Sequence, residues 1–460
     1  MGGQGLGWLH DEVVAENPAC INRDILPVKP ALHPNPIVLI VRSKTMTLGK
    51  KPMSEQHSRL PISRRVLLGS AAALAAPAIL HAQTATVKIG FPVPLTGPYG
   101  TEAADQVRCA QLAIAEWNDA GGLDGRKAEL LVRDDKLDPG EAATRTLELI
   151  EKDRVDFVVG SLSASVQLAI NTITKQRKVL FNSISQSDQI VALPDWSRYT
   201  FHEAMTPHLT AGAVGRYAFG KFGKRVVFLS ADYAYGHEMV TGFKAVGQTM
   251  GIEILAELRH PLGTTDYSTL LPRIQALKPD ILCLINFGRD QQISMKQATD
   301  FGLKRTTRIV APIMLYTARV AAGPQAFEGV VGGTSYYWGA ESTIPSAKAF
   351  NDRYRRAYDN KVPSDYGALG YAGVRAVLTA TKQAGTTDVE KVVDAMQSLK
   401  YDFYKGPQHI RPCDHQSVQS VFIIESKSKD MSTPSDVFSV LETTPASEDA
   451  LLSCKDEGHG

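Results

Sequence analysis

The 460-residue chain has almost no net charge: 50 Lys and Arg against 48 Asp and Glu leave +2. So weak a field excludes a protein that holds nucleic acid or an anionic membrane by charge. Cysteine is scarce, five in all, and no two stand at the close spacing of a zinc or redox motif. Gly-x-Ser-x-Gly and phosphate-loop patterns are missing. His202, His208 and His237 show no nucleophile–base pairing. His409 and His415, with Cys413 and Asp414 between them, lack the paired pattern of a zinc knuckle and read as a solvated loop. No metal, cofactor or catalytic residue is therefore expected.

What is present is ordinary for a soluble globular protein, with 43% hydrophobic and 21% charged residues. The length suits about two to three domains of roughly 150 residues each. The most apolar stretch follows Ser63-Arg64-Arg65 and ends near Leu80. It falls short of the roughly 20 residues that cross a bilayer. A basic pair, a short apolar segment and a small-residue exit at His81-Ala82 compose an export signal over 53–82, and paired arginines point to the twin-arginine route into the periplasm. Upstream, 1–52 is rich in Gly and Pro without periodicity and reads as a non-native or disordered extension, translation starting at Met53 or Met46. Without residues 1–82 the chain holds 41 basic and 43 acidic side chains, close to neutral.

Export frames the remaining cysteines, which enter an oxidising compartment. Cys283 sits in the apolar run Ile281–Ile285 and Cys109 on an expected helix, so both read as core thiols. Cys413 and Cys454 lie in an irregular C-terminal region, where a disulfide would pin the polar stretch from Lys427 onward as a surface strap.

From Thr86 the pattern alternates between two periods. Thr86–Phe91 reads as a buried strand, the proline-rich Pro92–Gly100 as a loop, and Val107, Ala110, Ile114 and Trp117 as one helical face ended by Gly121-Gly122. Strands at Ala128–Val132, Val155–Val159 and Val179–Asn182 alternate with helices at Pro139–Lys152 and Ser163–Gln176. A second cycle has strands at Arg225–Ser230, Glu253–Leu258, Ile281–Ile285 and Arg308–Ala311. Gly329–Tyr336 is expected to return to the first sheet, where helices at Ser346–Asn360, Tyr366–Gln383 and Val389–Ser398 complete it. This predicts an α/β protein: two doubly wound parallel-sheet lobes joined by a multi-stranded hinge. Lobe one covers 83–203 and 332–400, lobe two 204–331, and 401–460 holds a hinge crossing and the tail.

Several of these stretches together resemble the leucine/isoleucine/valine-binding family of type I periplasmic binding proteins. The likeness rests on Val87-Lys88-Ile89-Gly90 with Leu95-Thr96-Gly97-Pro98, on Ala113–Asn118 with Gly121-Gly122, on Arg133-Asp134-Asp135, and on Asp232–Gly236. Lys296-Gln297-Ala298 with Phe301-Gly302-Leu303 adds to it. The resemblance implies a periplasmic, monomeric solute-binding component of an ABC importer. It would close on a small molecule and then meet a membrane permease.

In open parallel sheets ligands gather beyond the carboxyl ends of the strands, so the loops there are the candidate site. Gly160–Ser165 begins a helix whose N–H groups suit a carboxylate. The resemblance carries that role to Ser163, with Ser165 second; ordinary N-capping is the competing explanation. Ser185, Gln186 and Ser187 follow the next strand, where the family uses backbone and hydroxyl groups. Tyr99 and Tyr235 occupy corresponding first loops of the two lobes, each beside Gly, and would sandwich a ligand, with Tyr233 a less favoured neighbour. Asn286 and Phe287 follow a lobe-two strand and would line the same cleft.

One departure from the family affects the ligand. Amino-acid-binding members place an acid after a lobe-two strand to meet the ammonium, whereas here Ala311–Tyr316 holds none. A buried ammonium without a partner is costly. The expected solute is thus a hydrophobic or aromatic carboxylate or an amide, with Asp290 as the one other route to an amino acid. A secreted α/β enzyme acting in the cleft is the alternative.

Overall fold

The computed structural model describes residues 86–460, so the extension and export signal read over 1–82 lie outside the described residues. The first sheet is laid down by β1 (Val87–Val93), α1 (Gly100–Asp119), β2 (Ala128–Asp134), α2 (Pro139–Glu151), β3 (Phe157–Gly160), α3 (Ala164–Arg177), β4 (Leu180–Ser183) and β5 (Thr200–His202). Its strand order is β2-β1-β3-β4-β5, all parallel.

Alternation along these strands builds two cores. On β3, Phe157 and Val159 pack towards α1, while Val158 joins Leu149 of α2 and Ile170 of α3 on the other face. Each such buried apolar side chain contributes roughly 1.5–3 kcal/mol. Pro92, expected in a loop, lies inside β1. The β1–β3 register ends at Gly90 and Val158, so no partner on that side needs the N–H that proline lacks.

Lobe two follows with α4 (Pro207–Lys221), β6 (Arg225–Ala231), α5 (Ala234–Met250), β7 (Glu253–His260), α6 (Leu271–Leu277), β8 (Ile281–Ile285), α7 (Gly288–Asp300), β9 (Arg308–Ile313), α8 (Tyr316–Ala322), α9 (Pro324–Phe327) and β10 (Val331–Thr334). The expected return of Gly329–Tyr336 to the first sheet does not occur. β10 pairs parallel with β9 and stays in the second sheet, because Val331 and Gly332 register against Val310 and Ala311. The return comes afterwards, through α10 (Pro345–Ala357), α11 (Asp365–Ala384) and α12 (Val389–Gln397).

α11 packs along α1 over the first sheet, and glycine makes the approach close. A Cβ on Gly370 would stand 2.4 Å from the Gln106 carbonyl oxygen. That packing sets Asp365 and Tyr366, at the start of α11, beside the cleft.

Short strands β11 (Lys400–Tyr401), β12 (Gln408–Ile410) and β13 (Ser417–Val418) form a small antiparallel hinge sheet. β14 (Val421–Ser426) and β15 (Phe438–Thr444) then join the second sheet, ordered β15-β14-β10-β9-β8-β6-β7. The region read as an irregular tail therefore contains an edge strand, β15, paired antiparallel with β14. Four consecutive residues, Val440 to Thr443, are exposed, and this mix of apolar and polar side chains lacks the one-face alternation that marks a strand.

The crossings are tied by buried polar groups. Lys405 Nζ donates to the Ser335 carbonyl at 3.0 Å, to Gln419 Oε1 at 2.5 Å and to the Ser420 carbonyl at 3.2 Å. Glu203 accepts from the Tyr401 hydroxyl at 2.5 Å and Gln408 Nε2 at 3.2 Å. Burial pushes the Glu203 carboxyl up and the Lys405 ammonium down. The structure also joins Cys413 to Cys454 in a disulfide, while Cys109 and Cys283 are free and buried.

Candidate functional site

The carboxyl ends of β1, β3 and β4 in lobe one face those of β6, β8 and β9 in lobe two, and the lobes touch there. Tyr99, in the turn before α1, is fully buried. Its hydroxyl donates to that of Tyr233, across the cleft, at 3.1 Å. Its ring meets Phe287 edge-on at 4.7 Å between centroids, and Phe287 meets Tyr366 in the same way at 4.7 Å. Burial first, then Tyr233 and Asp290, raises the Tyr99 phenol, so it stays neutral.

Backbone joins backbone at the same point. Arg289 N donates to the Pro98 carbonyl at 3.1 Å. Gly288 has φ +52°, and a Cβ there would lie 2.7 Å from both Pro98 O and Tyr99 Cδ1. Only glycine permits this approach.

The turn from β3 to α3 carries Ser161 and Ser163, both buried. Ser163 holds the N-cap position with extended backbone, but its hydroxyl accepts no bond from the helix, and no acid stands in the first turn. The capping explanation thus fails here. The positive end of α3 and a buried hydroxyl stand beside each other without compensation. Ser161 Oγ accepts from Ser163 N at 3.3 Å, and Ser165 is half-buried within the first turn.

Ser185, Gln186 and Ser187 are all buried. The Ser185 carbonyl lies 2.6 Å from His202 Nε2, and Gln186 Oε1 accepts from Thr210 Oγ1 at 3.4 Å. Ser187 Oγ accepts from Gln189 N at 3.1 Å and donates to Glu238 Oε1 at 3.1 Å. Glu238 Oε2 accepts from Asp188 N at 2.5 Å. Since Glu238 stands on α5, Ser187 makes a bond between lobes.

Tyr235 is buried on the lobe-two side, its ring 5.8 Å from Tyr233, and among the described residues its hydroxyl has no partner. Asn286 is turned away from the cleft. Its side chain donates to Ser294 Oγ at 2.9 Å and pairs with His260 Nε2 at 2.8 Å, within lobe two.

Sequence reading missed the acids around this site. Burial pushes Glu238 up to about 8, with Asp188 adding to it, and lifts Asp188 to about 6. Burial also lifts Glu102 and Asp365 to about 7 each. Glu102 accepts from Thr317 Oγ1 at 2.6 Å, so a lobe-one carboxyl reaches the start of α8, just past the acid-free stretch Ala311–Tyr316. Among the described residues none of these four is in an ion pair. Glu102 lies inside the first turn of α1 and Glu238 just past the first turn of α5, where helix spacing hides them among surface residues. A rule that admits acids within one turn of a strand-to-helix loop would have found Glu102 but not Glu238.

A family model described as periplasmic binding protein matches residues 86–431. A curated relative, Leu/Ile/Val-binding protein homolog 6 of Brucella melitensis, is 24% identical over 354 residues, 75% of this chain and 89% of that protein. The crystal structure of a periplasmic binding protein from Burkholderia mallei is 28% identical, with TM-score 0.74, and covers 81% of this chain and 97% of its own. A solute binding protein of an ABC transporter from Rhodopseudomonas palustris, solved in complex with 3,4-dihydroxybenzoic acid, has TM-score 0.72 at 24% identity, over 79% of this chain and 98% of that one.

Proposed function

The chain belongs to the periplasmic binding protein family, as the solute-binding component of an ABC-type importer, and we propose that its solute is a small carboxylic acid with an aromatic or otherwise apolar body. The observation that carries this is the uncapped Ser163 at the positive end of α3 in lobe one, with the partnerless Tyr235 hydroxyl buried in lobe two. The first suits a carboxylate, and the second suits a polar substituent at the far end of the ring. Phe287, Tyr99 and Tyr366 supply apolar faces between them. The Rhodopseudomonas palustris protein was solved with an acid of this chemistry.

An amino acid is the second reading, favoured by one observation. Glu238 with Asp188, and Glu102 with Asp365, form two acidic pairs outside any ion pair among the described residues, and an ammonium would compensate either. Calorimetry decides between the two. Binding of 3,4-dihydroxybenzoate, weakened about tenfold, or 1.4 kcal/mol, in Ser163→Ala, supports the acid. Binding of leucine without the aromatic acid overturns it.

We infer export by the twin-arginine route from Ser63-Arg64-Arg65 and the apolar run after it. The protein acts as a monomer whose closed lobes present one surface to the membrane permease. Replacing Arg64 and Arg65 by Lys and finding undiminished periplasmic protein would exclude that route.

A further inference from the structure

The family match ends at residue 431, yet the chain beyond it is built into both lobes. β15 is the outer strand of the second sheet, hydrogen-bonded to β14 from Phe438 to Thr444. A few residues later the chain has left that sheet. Glu448 meets His409 Nε2 at 3.0 Å, and the Leu452 carbonyl accepts from Arg411 Nη1 at 2.9 Å.

Residues 411–416 belong to the hinge segment that lies on the edge of the first sheet. His202 N, in β5, donates to the His415 carbonyl at 3.1 Å. Cys454 is bonded to Cys413 in this segment. Arg411 is buried between Asp414 and Glu457, 2.5 Å and 3.1 Å away. The last residues then reach lobe one itself. Leu193 N donates to the Glu457 carbonyl at 2.9 Å, His459 Nε2 lies 2.7 Å from the Val191 carbonyl, and the His459 ring meets Trp196 edge-on at 4.9 Å.

We propose that the segment from Pro445 to His459 is a disulfide-anchored fourth connection between the lobes, which limits how far the cleft opens. It adds to the three crossings near Glu203, Ser335 and Lys405, and nothing in the family match contains it. Its free length is limited. From Thr444, where the ladder ends, to Leu452, whose carbonyl the buried Arg411 holds, the chain takes eight steps, at most about 28 Å fully extended, and Glu448 is held to His409 on the way. Both ends are fixed, one by a strand ladder and the other by a covalent bond and a buried ionic cluster. Rotation of lobe two away from lobe one must therefore first pull Glu448 from His409 and then draw the strap taut. A restrained hinge keeps more of the empty protein near the closed form, and apparent affinity rises with that fraction.

The inference rests on hinged lobes but not on the solute, so its test uses the ligand-free protein. A full-chain variant with about ten Gly and Ser residues inserted between Pro445 and Ala446 slackens the strap while keeping the disulfide. Small-angle scattering should give the intact protein, after export, a radius of gyration near 21 Å, the value for a compact body of about 375 residues, and a rise of about 1–2 Å in the slack variant. Cys413→Ser with Cys454→Ser, or reduction of the unmodified chain if that variant does not fold, should move it in the same direction by less, since the ionic cluster remains. An unchanged radius in the slack variant, with circular dichroism intact, overturns the strap. Failure of every aromatic acid to bind would instead count against the solute assignment and leave this result standing.

Discussion

Glu238 of lobe two and Ser187 of lobe one are joined by a 3.1 Å hydrogen bond across the cleft, and the adjoining Asp188 N reaches the same carboxylate at 2.5 Å. The link makes closure sensitive to protons. Released from lobe one, Glu238 would titrate near the ordinary 4.5, whereas with the lobes in contact burial holds it up to about 8. Closure therefore takes up a proton. It is unimpeded below about 4.5, and grows less favourable as pH rises towards 8. Asp188 faces Glu238 directly and shifts the same way, as do Glu102 and Asp365 elsewhere in the cleft. Solute affinity should fall from pH 5.5 to 8.5, and Glu238→Gln should flatten part of that slope. An identical slope in the variant would separate Glu238 from closure.

Tyr235→Phe removes a hydroxyl that has no partner among the described residues. A buried group left unsatisfied costs about 1–3 kcal/mol, so the empty protein should be no less stable and its melting temperature should hold or rise. Affinity for a ring-hydroxylated acid should drop by about tenfold, roughly 1.4 kcal/mol, while benzoate is little affected. A loss of stability with unchanged affinity would mean that the hydroxyl has a structural partner instead.

Gly288→Ala places a methyl carbon 2.7 Å from Pro98 O and Tyr99 Cδ1. These atoms belong to the other lobe, so the clash exists only when the lobes meet. The variant should keep each lobe folded, with a strain of about 1 kcal/mol from its positive φ. It should bind solute at least tenfold more weakly, and scattering should show no compaction on addition of solute. Wild-type affinity in this variant would show that closure does not bring the two loops together.

Lys405→Met removes the cation that ties Ser335, Gln419 and Ser420 in the hinge. It leaves Glu203 buried without its compensating charge, and urea unfolding should show a loss of about 3 kcal/mol. Glu203→Gln, which keeps hydrogen-bonding atoms in place, should lose less. Equal losses would mean that the charge of Lys405 matters no more than its shape.

Much of the architecture was legible because its causes are local. Phe157-Val158-Val159 could only be a strand covered on both faces, and the i, i+3, i+4 spacing from Val107 to Trp117 could only be one helical face. Tyr99 and Tyr235 stood out for the same reason, each just after a strand and beside a glycine. Misplacements came where a partner distant in sequence decides. A short buried strand such as Val331-Gly332-Gly333-Thr334 does not declare which neighbours it joins, and β15 is an edge strand whose exposed residues, Val440 to Thr443, mix apolar and polar without alternation. Glu238 escaped notice because its partner is Ser187, 51 residues away on another lobe.

By itself the order of residues determined the alternation of strands and helices, and hence which loops stand at the carboxyl ends of the strands, since these follow from side-chain period and from glycine and proline. Only the folded chain decided which strand joined which sheet, that Ser163 leaves its helix uncapped, that Asn286 turns inward, and that Glu238 meets Asp188, and Glu102 meets Asp365, with neither pair in an ion pair among the described residues. Those outcomes depend on distances between groups far apart in sequence, and it is packing that sets such distances.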